Sequence, residues 1–147
     1  MSGKVLVLLF LGAVAVLAQV YPPIARVNPP ASVEIAAPPE VRRIFRGSCY
    51  DCHSNETRWP WYSYVAPGSW MVAGDVHDAR SRMNFSRWPH AVSSEVDCYF
   101  KRRIIERIGK GEMPPLRYRL LHPSATVTDE DEALLRNWTT EQCGEGS

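Results

Sequence analysis

The stretch Cys49-Tyr50-Asp51-Cys52-His53 carries the most specific chemistry in the chain. Two thiols three positions apart, with an imidazole directly after the second, are the residues needed to attach a c-type haem. Each cysteine sulfur adds to one haem vinyl group, and the histidine that follows is placed beneath the ring with a nitrogen available to iron. The rival readings are a redox dithiol and half of a zinc site. A dithiol does not need His53, and a zinc site wants a second ligand pair at similar spacing, whereas Cys98 and Cys143 each stand alone. The residues therefore predict one covalent haem c, with Cys49 and Cys52 on the porphyrin and His53 on the iron.

A second ligand is sought in Gly111-Glu112-Met113-Pro114-Pro115. A thioether must be held in one orientation over the iron, and a loop that leaves a helix at glycine and is stiffened by two prolines suits Met113 for that task. Methionine is more often a core residue, and Met71 and Met83 fit that description because they lie in a helical pattern. His77, His90 and His122 compete for the sixth position. His77 is the strongest of them, on a helix expected to face the pocket.

The pocket needs walls. Arg58-Trp59-Pro60-Trp61-Tyr62-Ser63-Tyr64 packs four aromatics into six residues after the arginine, with a proline that prevents a regular helix. Trp59 and Trp61 are expected to line the haem, and Arg58 with the two indole nitrogens to donate to its propionates, since buried carboxylates need partners. A sugar- or base-stacking platform would want a basic groove around it, and the sequence offers none.

These residues have to be positioned by helices. Pro39 suits a helix first turn, and Val41, Ile44 and Phe45 fall on one face of a helix that runs into Cys49, with Arg42, Arg43 and Arg46 outside near its negative end. Further helices are expected from Pro67 to Met83, from an N-cap at Ser94 to Gly109, and from Thr128 through Trp138, where Asp129, Glu130 and Asp131 complement the positive end. No segment of useful length shows the period of a strand, so the fold class is all-α.

Residues 1–20 contain Lys4 and then fourteen uncharged residues, Val5 to Ala18. They read as an export signal, cleaved after Val16-Leu17-Ala18 or retained as a membrane anchor. Either way the remainder lies outside the cytoplasm, on the periplasmic side, where c-type haem is attached and thiols oxidise. No cysteine precedes Cys49, so an N-terminal lipidated cysteine is not expected. Residues 21–39, with Pro22-Pro23, Pro29-Pro30 and Pro38-Pro39, predict an extended strap. Its first half is expected to be solvated, with Val33 and Ile35 against the domain. Residues 40–147 form the haem domain. A formal net charge of +1 gives no bias toward nucleic acid. Twelve prolines and five tryptophans suit short helices and rigid loops packed on a ring.

The chain resembles the small c-type cytochromes through Cys49-Tyr50-Asp51-Cys52-His53 and Gly111-Glu112-Met113-Pro114. Phe45 and Trp138 look like the aromatic contacts where the terminal helices of those proteins cross. More closely, the run Cys49 to Trp88, with Asp51 through Ser63 and Asn84-Phe85-Ser86, is similar to the bacterial haem-binding domain family that carries one such motif. The resemblance covers nearly all of residues 33–140. It implies covalent haem c and a cytochrome c-like helical domain. Val41 departs from the pattern, since the small cytochromes usually place glycine at the helix crossing.

The function expected from the ligand set is electron transfer by a mono-haem cytochrome, not catalysis. Histidine and methionine fill both axial positions, and the thioether favours the reduced metal. The partners expected are redox proteins, including a respiratory or photosynthetic membrane complex in which the chain is an anchored subunit. The alternative is a haem-based sensor or peroxidase-like enzyme with an open or displaceable sixth site, for which only His77 offers a distal acid–base group. Finally, Cys98 and Cys143 are expected to form a disulfide that pins the last helix over the ligand loop and keeps Met113 on iron; the alternative is two unpaired cysteines.

Overall fold

The computed structural model describes residues 2–20, 24–88 and 93–144. Among them the elements are helical: α1 (Gly3–Val20), α2 (Pro39–Ser48), α3 (Tyr50–His53), α4 (Gly68–Arg82), α5 (Ser94–Gly109), α6 (Leu116–Leu121) and α7 (Asp129–Cys143), with 3-10 turns at Trp61–Tyr64 and Pro123–Ala125. No strand forms among the described residues, where Val33 and Arg87 make an isolated bridge. The all-α expectation holds. Pro22-Pro23, Pro89 and His90 fall outside the described residues.

α2 begins at Pro39, whose missing N–H costs nothing at a helix start, and it buries Val41, Ile44 and Phe45 while Arg42, Arg43 and Arg46 stay exposed. It ends where the Cys49 N–H donates to the Phe45 carbonyl at 2.8 Å. The chain then makes one further turn, α3, in which the Cys52 and His53 N–H groups both donate to the Cys49 carbonyl. That single turn sets the two thiols and the imidazole on adjacent positions.

Phe85 is the centre of the core. Its fully buried ring stacks on Phe45 at 4.8 Å, Tyr50 at 5.3 Å and Trp88 at 5.7 Å, and meets His53 edge-on at 6.3 Å. Phe45 in turn meets Trp138 of α7 edge-on at 5.8 Å, so the aromatic crossing of the first domain helix and the last is present. Val41, at this crossing, is 1% exposed and so takes up space that a glycine would leave open. The ion pair Arg43–Asp131, at 3.0 Å, joins the same two helices from outside.

The strap is bound more extensively than its proline content suggests. Beyond Ile35, which is buried, Val27 and Asn28 are also held: the Arg80 guanidinium donates to the Val27 carbonyl at 2.7 Å and to Asn28 Oδ1 at 2.9 Å. The Asn28 amide donates to the Thr57 carbonyl, and that of Asn55 to the Pro30 carbonyl. Val27 and Asn28 stay exposed, as a solvated first half requires, but they are tied to the domain by hydrogen bonds. Proline stiffens a strap without providing its own hydrogen bonds, and here Arg80, Asn28 and Asn55 supply them from side chains.

Most helix limits differ from expectation by a residue or two, α7 runs on past Trp138 to Cys143, and one element differs in kind. Ser93, not Ser94, caps α5, its hydroxyl accepting from the Val96 N–H at 3.2 Å. Thr128 and Asp131 form a reciprocal capping box at the start of α7. Pro114-Pro115, read as a stiff loop, instead lead directly into α6, with Pro115 in the cap position where a missing N–H is harmless.

Cys98 and Cys143 are bonded, their Cα atoms 5.5 Å apart. The position of the bridge corrects the expected role. α5 and α7 run antiparallel, with Gly109 at the end of α5 beside Glu132 and Arg136 of α7. Cys98 lies near the other end of α5, about 16 Å along the helix from Gly109. The disulfide thus clamps the end of the helix pair remote from Met113 and does not hold the ligand loop.

Candidate functional site

The attachment turn is tied to α4 through its histidine. His53 Nδ1 lies 3.1 Å from the Met83 carbonyl oxygen, and the Phe85 N–H donates to the His53 carbonyl at 2.7 Å. An Nδ1–H that donates to a carbonyl leaves Nε2 as the basic nitrogen, the tautomer required of a metal-binding imidazole. Burial lowers the His53 pKa, against which the hydrogen bond to Met83 acts, so the ring is neutral near pH 7.

Cys49 and Cys52 are unbonded and partly buried. Burial pushes the Cys49 thiol up to about 12, with a further rise from neighbouring Cys52. Burial also raises Cys52 to about 11, with Asp51 and Asp75 adding to the rise and Arg117 and Arg80 opposing it. A redox dithiol needs a thiolate stabilised below the ordinary cysteine pKa, and this site does the reverse. Among the described residues no group of three or more histidine, cysteine or acidic side chains is assembled for a metal ion. The zinc and dithiol readings therefore lose support, while two thiols and one neutral imidazole on a single turn fit a haem.

The segment that follows Met113 closes over the same turn. The Tyr118 hydroxyl of α6 donates to Asp51 Oδ2 at 2.8 Å, and Arg117 pairs with Asp75 of α4 at 2.6 Å. Burial, followed by the hydrogen bond to Asp51, raises the Tyr118 pKa, which keeps the hydroxyl a donor. Met113 itself is 39% exposed, and Leu116, Leu120 and Leu121 beyond it are exposed apolar side chains. Exposed leucines on an element pinned to the attachment turn form an apolar surface that a porphyrin could cover. The Nε of Arg119, in the same helix, is buried without a hydrogen-bond partner.

The other expected site residues are distributed as follows. Arg58 is largely exposed, its Nε 3.4 Å from Asp51 Oδ1. Trp59 is partly buried, while Trp61 is 78% exposed and meets Tyr62 edge-on. His77 is exposed beside Asp78, with 3.5 Å between Nδ1 and the carboxylate. His122 stacks on Tyr118 at 4.3 Å, its Nδ1 3.2 Å from the Tyr118 carbonyl. Met83 packs against the core as expected, but Met71 is exposed, because the half of α4 that carries it turns that position outward. Sequence reasoning missed Met83 as a backbone acceptor, Phe85 as the core hub and Tyr118 as a partner of Asp51. A backbone carbonyl leaves no mark in residue type, whereas the aromatic flanked by Asn84 and Ser86 was visible without its role.

No curated protein and no solved structure matches the chain. The family described as the haem-binding domain matches residues 8–141, a span that includes the strap, α2, the Cys49–His53 turn and most of α7, and the chain belongs to that family and binds haem.

Proposed function

We propose that this chain is a mono-haem c-type cytochrome that transfers electrons on the periplasmic side of a membrane. The observation that carries the reading is the Cys49–His53 turn, where two unbonded thiols and an imidazole with its Nδ1 already engaged by Met83 stand together. Cys49 and Cys52 supply the two sulfurs for covalent attachment, and His53 Nε2 supplies the proximal ligand. Met113, ahead of a proline-stiffened entry to α6, supplies the distal thioether. Bound haem iron contributes a one-electron couple; the residues contribute attachment, orientation and exclusion of water from the ring. Arg58 and Trp59 are assigned to the haem periphery.

We read α1 as a retained anchor. Its helix continues through Ala18, the residue before the candidate cleavage point, to Val20, and none of its residues is buried in the protein. Were His53 and Met113 both to hold the iron, no position would remain for a substrate, and the protein would act as a carrier rather than an enzyme, delivering to redox partners at the membrane.

The experiment is extraction with acidified acetone. Haem should remain with the wild-type polypeptide, and Cys49→Ser or Cys52→Ser should leave little holoprotein. Extraction of the haem from wild type would overturn the c-type assignment while leaving haem binding intact.

A further inference from the structure

The aromatic loop beside α1 has a feature that electron transfer does not require. Three of its side chains face solvent: Trp61 is 78% exposed, Tyr64 50% and Val65 52%. The last turn of α1 is bonded to this loop. The Gln19 side-chain amide donates to the Tyr64 carbonyl, and its Oε1 accepts from the Ala66 N–H at 3.0 Å. The Arg26 guanidinium lies over the Tyr64 ring at 4.7 Å, with its Nε lacking a hydrogen-bond partner. Ile24 reaches α4, its Cδ1 4.0 Å from the position a side-chain carbon would take at Gly74.

We propose that the 61–66 loop is a second membrane contact, seated in the headgroup layer of the bilayer that α1 spans. The proposal rests on the reading of α1 as a retained anchor. The depth follows from the helix. Gly3–Val20 has 18 residues of mean hydropathy 2.2 and is about 27 Å long, close to the roughly 30 Å thickness of a hydrocarbon core. Gln19, at its end, therefore marks the boundary between hydrocarbon and headgroups. A loop hydrogen-bonded to Gln19 lies at that level.

Its composition suits the place. Tryptophan and tyrosine concentrate at membrane interfaces because each has an apolar ring and a polar handle. Arg26, stacked on Tyr64, sets a guanidinium at the level of lipid phosphates, where arginine binds well. Trp61, expected from sequence to wall the haem, is on this assignment given to lipid. The haem domain is thereby held in one orientation over the bilayer instead of swinging on a tether.

The test uses the full-length holoprotein in vesicles of phosphatidylcholine and phosphatidylglycerol, doped with a phosphatidylcholine that carries a photoactivated diazirine near the carbonyl end of one acyl chain. After irradiation, labelled peptides are mapped by mass spectrometry. Label on both α1 and the 59–66 peptide is expected. In the double variant Trp61→Ser, Val65→Ser the label on 59–66 should fall several-fold while that on α1 is unchanged. Label on α1 with none on 59–66 means that the haem edge, another protein or water covers the loop, and overturns the proposal while leaving the anchor reading in place. Equal labelling of 59–66 in the double variant also overturns it. Absence of label from α1 overturns the anchor reading, and the proposal with it.

Discussion

His53 and Met83 hold each other through the backbone of two separate segments. The Met83 carbonyl accepts from His53 Nδ1 at 3.1 Å, and two residues on, the Phe85 N–H donates to the His53 carbonyl at 2.7 Å. The imidazole is thus fixed from its ring and from its own peptide by the chain that leaves α4. Met83 is placed in turn by its N–H, which donates to the Ala79 carbonyl at 3.0 Å as α4 ends. An acceptor opposite the metal-binding nitrogen sets the tautomer and raises ligand basicity. Because the acceptor is a main-chain carbonyl, side-chain substitution at position 83 leaves it in place.

The sixth ligand separates carrier from sensor. Met113→Ala should abolish the far-red absorption band of iron–methionine coordination in the oxidised protein and lower the reduction potential, since the thioether favours the reduced metal. His77→Ala and Met71→Ala, which remove exposed side chains on α4, should leave spectrum and potential unchanged. Loss of six-coordinate character in either control, with Met113→Ala silent, would assign the ligand to α4 instead.

A buried ion pair secures α5 against the core. Lys101 is 4% exposed, its Nζ 2.7 Å from Asp97 Oδ2 and 4.7 Å from the centre of the Trp138 ring, while Trp88 Nε1 donates to Asp97 Oδ1 at 2.7 Å. Removing one partner of such a pair strands the other charge, so Asp97→Ala should cost about 3–5 kcal/mol. Lys101→Met keeps the apolar stem, and the carboxylate it leaves is 19% exposed and still accepts from Trp88 Nε1, so this variant should cost less than Asp97→Ala. Denaturant unfolding of the two variants checks the order. Equal losses would show that the two charges act as one unit, Asp97 stabilising the fold through Lys101 with the Trp88 bond adding little.

The sequence exposed what depends on residue type and short spacing. Cys49, Cys52 and His53, the proline start of α2, the acidic start of α7 and the period of Ile104, Ile105 and Ile108 in α5 are all local signals, and the structure places each on the expected element. What it concealed depends on distant segments meeting. Phe85 lies in a turn whose neighbours are polar, yet it becomes the hub because Phe45, Tyr50 and Trp88 arrive from three sides. Nothing local to Arg80 in α4 marks its role. It is the clasp of the strap, donating to Ser54, Val27, Asn28 and Thr57, and its burial lowers its pKa. α6 was hidden by Pro114-Pro115, which break a preceding helix and equally permit a following one.

The disulfide gives a prediction in which stability and ligation part company. Cys98–Cys143 spans 45 residues of sequence, and closing a loop of that length stabilises the fold by about 4 kcal/mol through the unfolded chain. Alkylation of the denatured protein without reductant should modify neither of these cysteines. On the proposed covalent attachment, thioether bonds resist reduction, so mild reductant should open the bridge without releasing haem. The reduced protein should then unfold at markedly lower denaturant concentration. Its far-red iron–methionine band should nevertheless persist under native conditions, because the bridge joins the end of the α5–α7 pair remote from Met113, while the segment beyond Met113 is held by Tyr118 on Asp51 and Arg117 on Asp75. Loss of the band on opening the bridge, before any unfolding, would show that Cys98–Cys143 constrains the ligand loop after all.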